Sequence, residues 1–183
     1  MKLMLRLLLF IFLLIEIKDA AAQDNPKFEQ PVLISSAGQS ADVKLAGLLL
    51  KREKVESVTA LIAKPADLEG KKTLILVPGF SSKGLGAAGI SAEEELERVK
   101  GIIEKANEGN VPIILLHIGG NARRKGQSDQ FIKLVAESAK YMIVVKQADE
   151  DNFFSDLKAS LNIPLVLVDK IPSAAEPLGK LFK

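Results

Sequence analysis

The chain has no cysteine and no tryptophan, one histidine (His117) and one tyrosine (Tyr141). The missing cysteine excludes disulfides, thiolate chemistry, iron–sulfur clusters, cysteine-ligated zinc and a lipid attached to an N-terminal cysteine. With a single histidine besides, no zinc is expected, and no spaced acidic motif points to oxygen-ligated magnesium or calcium. Phe numbers eight, several at expected core positions, so a stacking platform for sugars or bases is disfavoured. Neither sign of charge dominates. Lys and Arg total 25 against 23 Asp and Glu, and without residues 1–22 the balance is 22 against 21. Such balance argues against a general nucleic-acid or anionic-membrane binder, and no nucleic-acid partner is expected.

The first residues carry a targeting pattern. Lys2 and Arg6 give a basic start, Leu7–Ile15 an unbroken apolar run, and Ala20-Ala21-Ala22 an A-x-A-like cleavage site before Gln23. The run is much shorter than the ~20 residues of a bilayer span, and Glu16, Lys18 and Asp19 close it. Residues 1–22 are therefore expected to be a signal peptide cleaved near Ala22. The product would be exported, periplasmic or secreted, with no stable membrane insertion after cleavage; an uncleaved N-terminal anchor is the alternative. Residues 23–30 read as a short polar leader and 31–183 as a single domain. A domain of ~150 residues buries about 70% of its chain surface, enough to hold a fold without staples.

Apolar runs then alternate with helical patterns. Strands are expected at Val32–Ser35, Val58–Ile62, Thr73–Val77, Val111–Leu116, Tyr141–Val145 and Ile163–Val168, and helices near Ser40–Arg52, from Ser128, at Asn152–Leu161 and at Ala174–Phe182. The clearest helix has Leu96, Val99, Ile103 and Ala106 inward and Glu94, Glu97, Arg98, Lys100 and Glu104 outward; Ser91 with Glu94 makes a capping box and Gly109 ends it. Pro65–Leu68 is a single turn, which makes the second strand the least secure. Continuous apolar strands separated by helices mean an α/β three-layer fold with a mainly parallel sheet of about six strands, flavodoxin-like or Rossmann-like. Strand order 2-1-3-4-5 with strand six at the edge is the first choice, and 3-2-1-4-5-6 the second.

A ligand would sit outside the carboxyl ends of the strands, where the order reverses. Three glycine-bearing loops are expected to meet there. From the first come Ser36, Gly38, Gln39 and Ser40. The second, Pro78–Ser91, has four glycines in fourteen residues, where about 2–6 residues are usual; it offers Ser81, Ser82, Lys83, Gly84, Gly86 and Gly89. The third supplies His117, Gly119, Gly120, Arg123 and Arg124. Gly84–Gly89 spells G-x-G-x-x-G, but it follows the third strand after a gap and no acidic residue ends the next strand, so a dinucleotide is disfavoured. No Walker G-K-[ST] follows either. The three carboxylates Glu93, Glu94 and Glu95 weigh against a phosphate at the helix start. Arg123, Arg124 and Lys125 place positive charge near the crevice mouth, where arginine suits carboxylate or phosphate partners. Ser128 and Asp129 read as a helix cap and a first-turn acid. His117 is the candidate catalytic residue, although no strand–G-x-S-x-G–helix elbow presents a serine to it.

Through PVLISSAGQSADV (31–43), SSKGLGAAGIS followed by EEELERV (81–99), HIGGNARRKGQSDQFI (117–132) and YMIVV (141–145), the chain resembles a bacterial family described as a domain of unknown function, family 6305. The resemblance implies a small exported α/β protein. It implies no activity and no site residue. The residues themselves favour a domain holding a small anionic ligand among the three loops. The alternatives are a hydrolase or transferase using His117, and a protein-interaction module with no small ligand.

Overall fold

The computed structural model describes residues 27–182; the expected signal peptide lies outside them. Six strands, β1 (Val32–Ala37), β2 (Ser57–Thr59), β3 (Thr73–Pro78), β4 (Ile113–His117), β5 (Ala139–Val145) and β6 (Leu165–Val168), pair in parallel in the order β2-β1-β3-β4-β5-β6. This is the first of the two expected orders. The chain runs outward from β1 to β2, crosses back to β3, then proceeds to β6, so its direction across the sheet reverses between β1 and β3.

Successive strand side chains point to opposite faces, and here both faces are covered. Ile75 and Val77 enter one core with Val43, Ala46 and Leu50 of α1 (Asp42–Arg52) and Leu178 and Leu181 of α6 (Ala175–Leu181). Leu74 and Leu76 enter the other, with Val99 and Ile102 of α3 (Ala92–Glu108), Phe131 and Val135 of α4 (Gln127–Ala136), and Phe154 of α5 (Phe153–Leu161). The central strands β3, β4 and β5 therefore read as largely apolar runs. Burying each Leu, Ile or Val contributes about 1.5–3 kcal/mol.

Four departures from the sequence reading matter. The loop expected between β3 and α3 contains a helix, α2 (Ser82–Ala88). Ser81 Oγ accepts the Gly84 N–H at 3.1 Å, Leu85 is buried, and Gly89 closes the helix at φ 67°, in the left-handed region that glycine adopts freely. Strand β2 stops at Thr59; Ala60 N–H still donates to the Ile34 carbonyl at 2.9 Å, and residues 61–62 leave the sheet before the 3₁₀ turn Pro65–Leu68. The end of the expected polar leader is packed: Phe28 is buried, its N–H donates to the Leu181 carbonyl at 2.8 Å, and its ring meets Tyr141 edge-on.

The fourth concerns α3. Its capping box forms as expected, with Ser91 Oγ accepting from Glu94 N–H at 3.1 Å and Glu94 accepting from Ser91 N–H at 2.7 Å. Its buried face, however, comprises Glu95, Val99, Ile102, Ile103 and Ala106, while Leu96 is half-buried. Arg98, expected to face outward, is 10% exposed. Glu95 and Arg98 lie four residues before Val99 and Ile102, so both sit on the extension of the apolar stripe.

Candidate ligand crevice

At the reversal between β1 and β3 the loops are tied together by their backbones. Gly79 N–H donates to the Ala37 carbonyl at 2.9 Å, Ser81 N–H to the Gly38 carbonyl at 2.8 Å, and Gln39 forms an isolated bridge with Phe80. The loop after β4 joins them through Arg123 Nη1, which donates to the Phe80 carbonyl at 3.2 Å. Between these loops lies a crevice of about 500 Å³. Five of the sequence-predicted residues line it: Gln39, Ser81, Lys83, Gly84 and Arg123. Six others were missed, namely Ala41 and Lys44 of the first loop and α1, Leu61 and Ile62 of the β2–β3 link, and Ala87 and Ala88 of α2.

Behind Gln39, outside the residues that line the crevice, lies an ion pair absent from the sequence reading. Glu95 is fully buried and accepts from Gly38 N–H at 2.8 Å, Gln39 Nε2 at 2.9 Å, and Arg98 Nε and Nη2, each at 2.8 Å. Arg98 also donates to the Ala63 carbonyl at 2.7 Å and the Ser36 carbonyl at 2.6 Å. A buried carboxylate is tolerable when paired and hydrogen-bonded in this way. The same bonds explain a strained backbone. Gln39 has φ 63°, a left-handed conformation costing a non-glycine residue about 1–2 kcal/mol, and its amide is held by Glu95.

The G-x-G-x-x-G string divides into separate structural duties. A Cβ on Gly84 would stand 2.1 Å from the Gln39 carbonyl oxygen, so glycine lets α2 lie directly on the first loop. Gly86 faces open space and Gly89 is the helix cap; neither lines the crevice. A Cβ on Gly119 would meet the Arg123 side chain at 2.3 Å. The close approach at Gly119-Gly120 is therefore between parts of the protein.

Other expected site residues are occupied elsewhere. Ser36 Oγ donates to the Leu61 carbonyl at 2.7 Å and Ser40 Oγ to Asp42 at 2.6 Å, while Ser82 is exposed in the first turn of α2. Ser128 accepts the Phe80 N–H at 3.1 Å instead of capping α4. Arg124, expected at the crevice mouth, has a side chain only 2% exposed. Its guanidinium donates to Asp129 at 2.7 Å, to Asp151 at 3.1 Å and to the Ala148 carbonyl, and lies 4.0 Å over the Phe153 ring. Hydrogen bonds from Arg124 and Lys125 hold the Asp151 carboxyl well below the usual carboxylate range. Arg124 fastens α4 to α5 and has no donor left over for a ligand.

His117 is fully buried beside Phe154, with Nδ1 3.1 Å from the Pro78 carbonyl and Nε2 3.3 Å from the Gly120 carbonyl. Neither nitrogen contacts a serine or a carboxylate. Burial pushes its pKa below the ordinary 6.5; the two carbonyls and Asp42 oppose that, and Arg124 adds to it. The folded ring thus resists a proton that the unfolded chain accepts, and stability falls as pH drops below about 6.5. This one group contributes at most about 1.4 kcal/mol per pH unit. Denaturant unfolding from about pH 8 to about pH 5 should show that slope, and His117→Gln should flatten it. An unchanged slope in the variant would assign the acid sensitivity to other groups.

Among the described residues, no helix is long and apolar enough to cross a membrane, and no cluster of three or more His, Asp or Glu could hold a metal ion.

No curated protein matches the sequence. Among solved structures, a Thermoplasma acidophilum protein described as a candidate component of GMP synthase shares 16% identity over 56% of this chain with a TM-score of 0.35; the match covers 43% of that protein, less than half its length. A GDSL-like lipase from Bacteroides thetaiotaomicron shares 10% over 80% of this chain and 70% of its own, also at 0.35. An SGNH-hydrolase family esterase shares 16% over 76% and 75%, at 0.30. Likeness at this level says nothing of activity. The sequence itself is decisive on kinship: the model of the family described as Domain of unknown function (DUF6305) matches residues 29–182, and the chain belongs to that family.

Proposed function

We propose that this chain is an exported domain that binds a small anionic ligand in the crevice between the β1, β3 and β4 loops. The supporting observation is electrostatic. Lys44, Lys83 and Arg123 line the cavity, no carboxylate lines it, and neither lysine ammonium has an ion-pair or hydrogen-bond partner among the described residues. Arg123 donates through Nη1 to the Phe80 carbonyl, but its ion pair with Asp42 is long, at 3.8 Å, and its side chain is 31% exposed. A concave, largely apolar site with a few convergent charges is what a small-molecule pocket requires. A hydrolase or transferase acting through His117 draws no support from a buried ring with both nitrogens on carbonyls.

A thermal-shift screen against carboxylates, phosphates and nucleotides tests the proposal. A ligand at 100 times its Kd adds about 2.7 kcal/mol, a readily measured shift. Lys83→Ala with Arg123→Ala should erase it. A stabilising ligand whose effect survives that pair of substitutions would remove the crevice as its site.

A further inference from the structure

We infer that the ligand is an alkyl-chain anion: one charged head on an aliphatic body, of the carboxylate or acyl-phosphate kind. The inference rests on the crevice being the binding site and narrows what fits it. Leu61 and Ile62, 41% and 38% exposed, leave aliphatic side chains uncovered where the β2–β3 link borders the cavity, and Ala87 on α2 adds a further apolar surface. Exposed apolar side chains gathered in a concavity mark surface that a partner covers.

Other ligand classes lack the groups that would recognise them. Among the described residues no aromatic ring lines the crevice, so a nucleobase has nothing there to stack on. The neutral polar side chains are only two and partly engaged: the Gln39 amide nitrogen donates to Glu95, and Ser81 Oγ accepts the Gly84 N–H. A sugar would surrender its hydration to a wall with few donors and acceptors in exchange. A volume of about 500 Å³ suits a ligand of modest size. What remains is an aliphatic body against Leu61 and Ile62, with its head among Lys83, Lys44 and Arg123.

Isothermal titration of the full-length chain with butyrate, hexanoate and octanoate, below their micellar concentrations, tests this. Each buried methylene should tighten binding about fourfold, and added salt should weaken it. Leu61→Ser with Ile62→Ser, both on exposed side chains, should abolish the dependence on chain length. Lys44→Gln, Lys83→Gln and Arg123→Gln together should bring octanoate down to the affinity of 1-octanol. Every variant keeps the same apolar N-terminal segment, so differences report on the crevice. Tight binding of inorganic phosphate or AMP with no response to octanoate would overturn the inference and leave an anion site standing. Equal affinity for 1-octanol and octanoate in the unsubstituted protein would also overturn it, because the head would go unrecognised. Absence of any anion binding would overturn the inference and the proposed function together.

Discussion

Glu95→Gln should lower the stability of the fold by about 3–5 kcal/mol, the usual cost of removing one partner from a buried ion pair. The substitution changes almost no volume, so the loss reports on charge. Arg98 would be left nine-tenths buried with its carboxylate gone, and Gly38 and Gln39 would share an amide oxygen where each had a carboxylate oxygen of its own. Arg98→Met should cost a similar amount by stranding Glu95. The double variant Glu95→Leu, Arg98→Met separates charge from packing. Removing both charges avoids a stranded ion, so its loss should be smaller than the sum of the two single losses. It should not return to zero, because the Gly38 N–H and the Gln39 amide would lack an acceptor, at about 1–3 kcal/mol for each buried group. Urea unfolding of the unsubstituted protein, the single variants Glu95→Leu and Arg98→Met and the double variant closes the cycle. Single losses below about 1 kcal/mol, or strict additivity, would show that the pair does not hold the loop.

The second large effect separates two adjacent arginines. Arg124→Met should destabilise by about 2–3 kcal/mol, since it removes charge-assisted bonds to Asp129 and Asp151 and uncaps the Ala148 carbonyl. The loss is smaller than at Glu95 because Asp129 and Asp151, 19% and 42% exposed, can turn to water. Anion affinity should stay within about twofold of the unsubstituted protein. Arg123→Met should do the reverse. Its ion pair is long and partly exposed, worth about 0–1 kcal/mol, and its bond to the Phe80 carbonyl adds about 1 kcal/mol, whereas binding should weaken about tenfold or more if Arg123 meets the ligand's charge. Stability and affinity measured on both variants decide the assignment. A loss of affinity at Arg124 without a change in stability would reverse it.

Much of the architecture could be read directly. Residues 32–34, 74–77 and 141–145 are apolar without interruption because both faces of the sheet are covered, and that pattern implied the parallel sheet; the reversal point followed from the first of the two expected strand orders. The Ser91–Glu94 box marked the start of α3 because both partners lie within one turn. Other features depended on tertiary context. Two glycines within seven residues hide α2, whose stability comes from its caps and from burying Leu85. Arg98 looked solvated because arginine usually is, although its spacing from Ile102 placed it on the inner stripe. Arg123 and Arg124 are identical in kind and adjacent, and only the positions of Asp42, Asp129 and Asp151 tell them apart. Leu61 and Ile62 resembled the end of a strand, and became crevice wall once β2 stopped at Thr59.

Gln39 and α2 border the same cavity under very different restraint. One is anchored through Glu95 to the interior of the molecule; the other is a seven-residue segment resting on a single buried leucine. Guests of unequal bulk would then be accommodated by displacement of that segment, with the anchored side serving as a fixed template. On the proposed function, substitutions within α2 would reshape the crevice while leaving the sheet and the Glu95–Arg98 pair untouched.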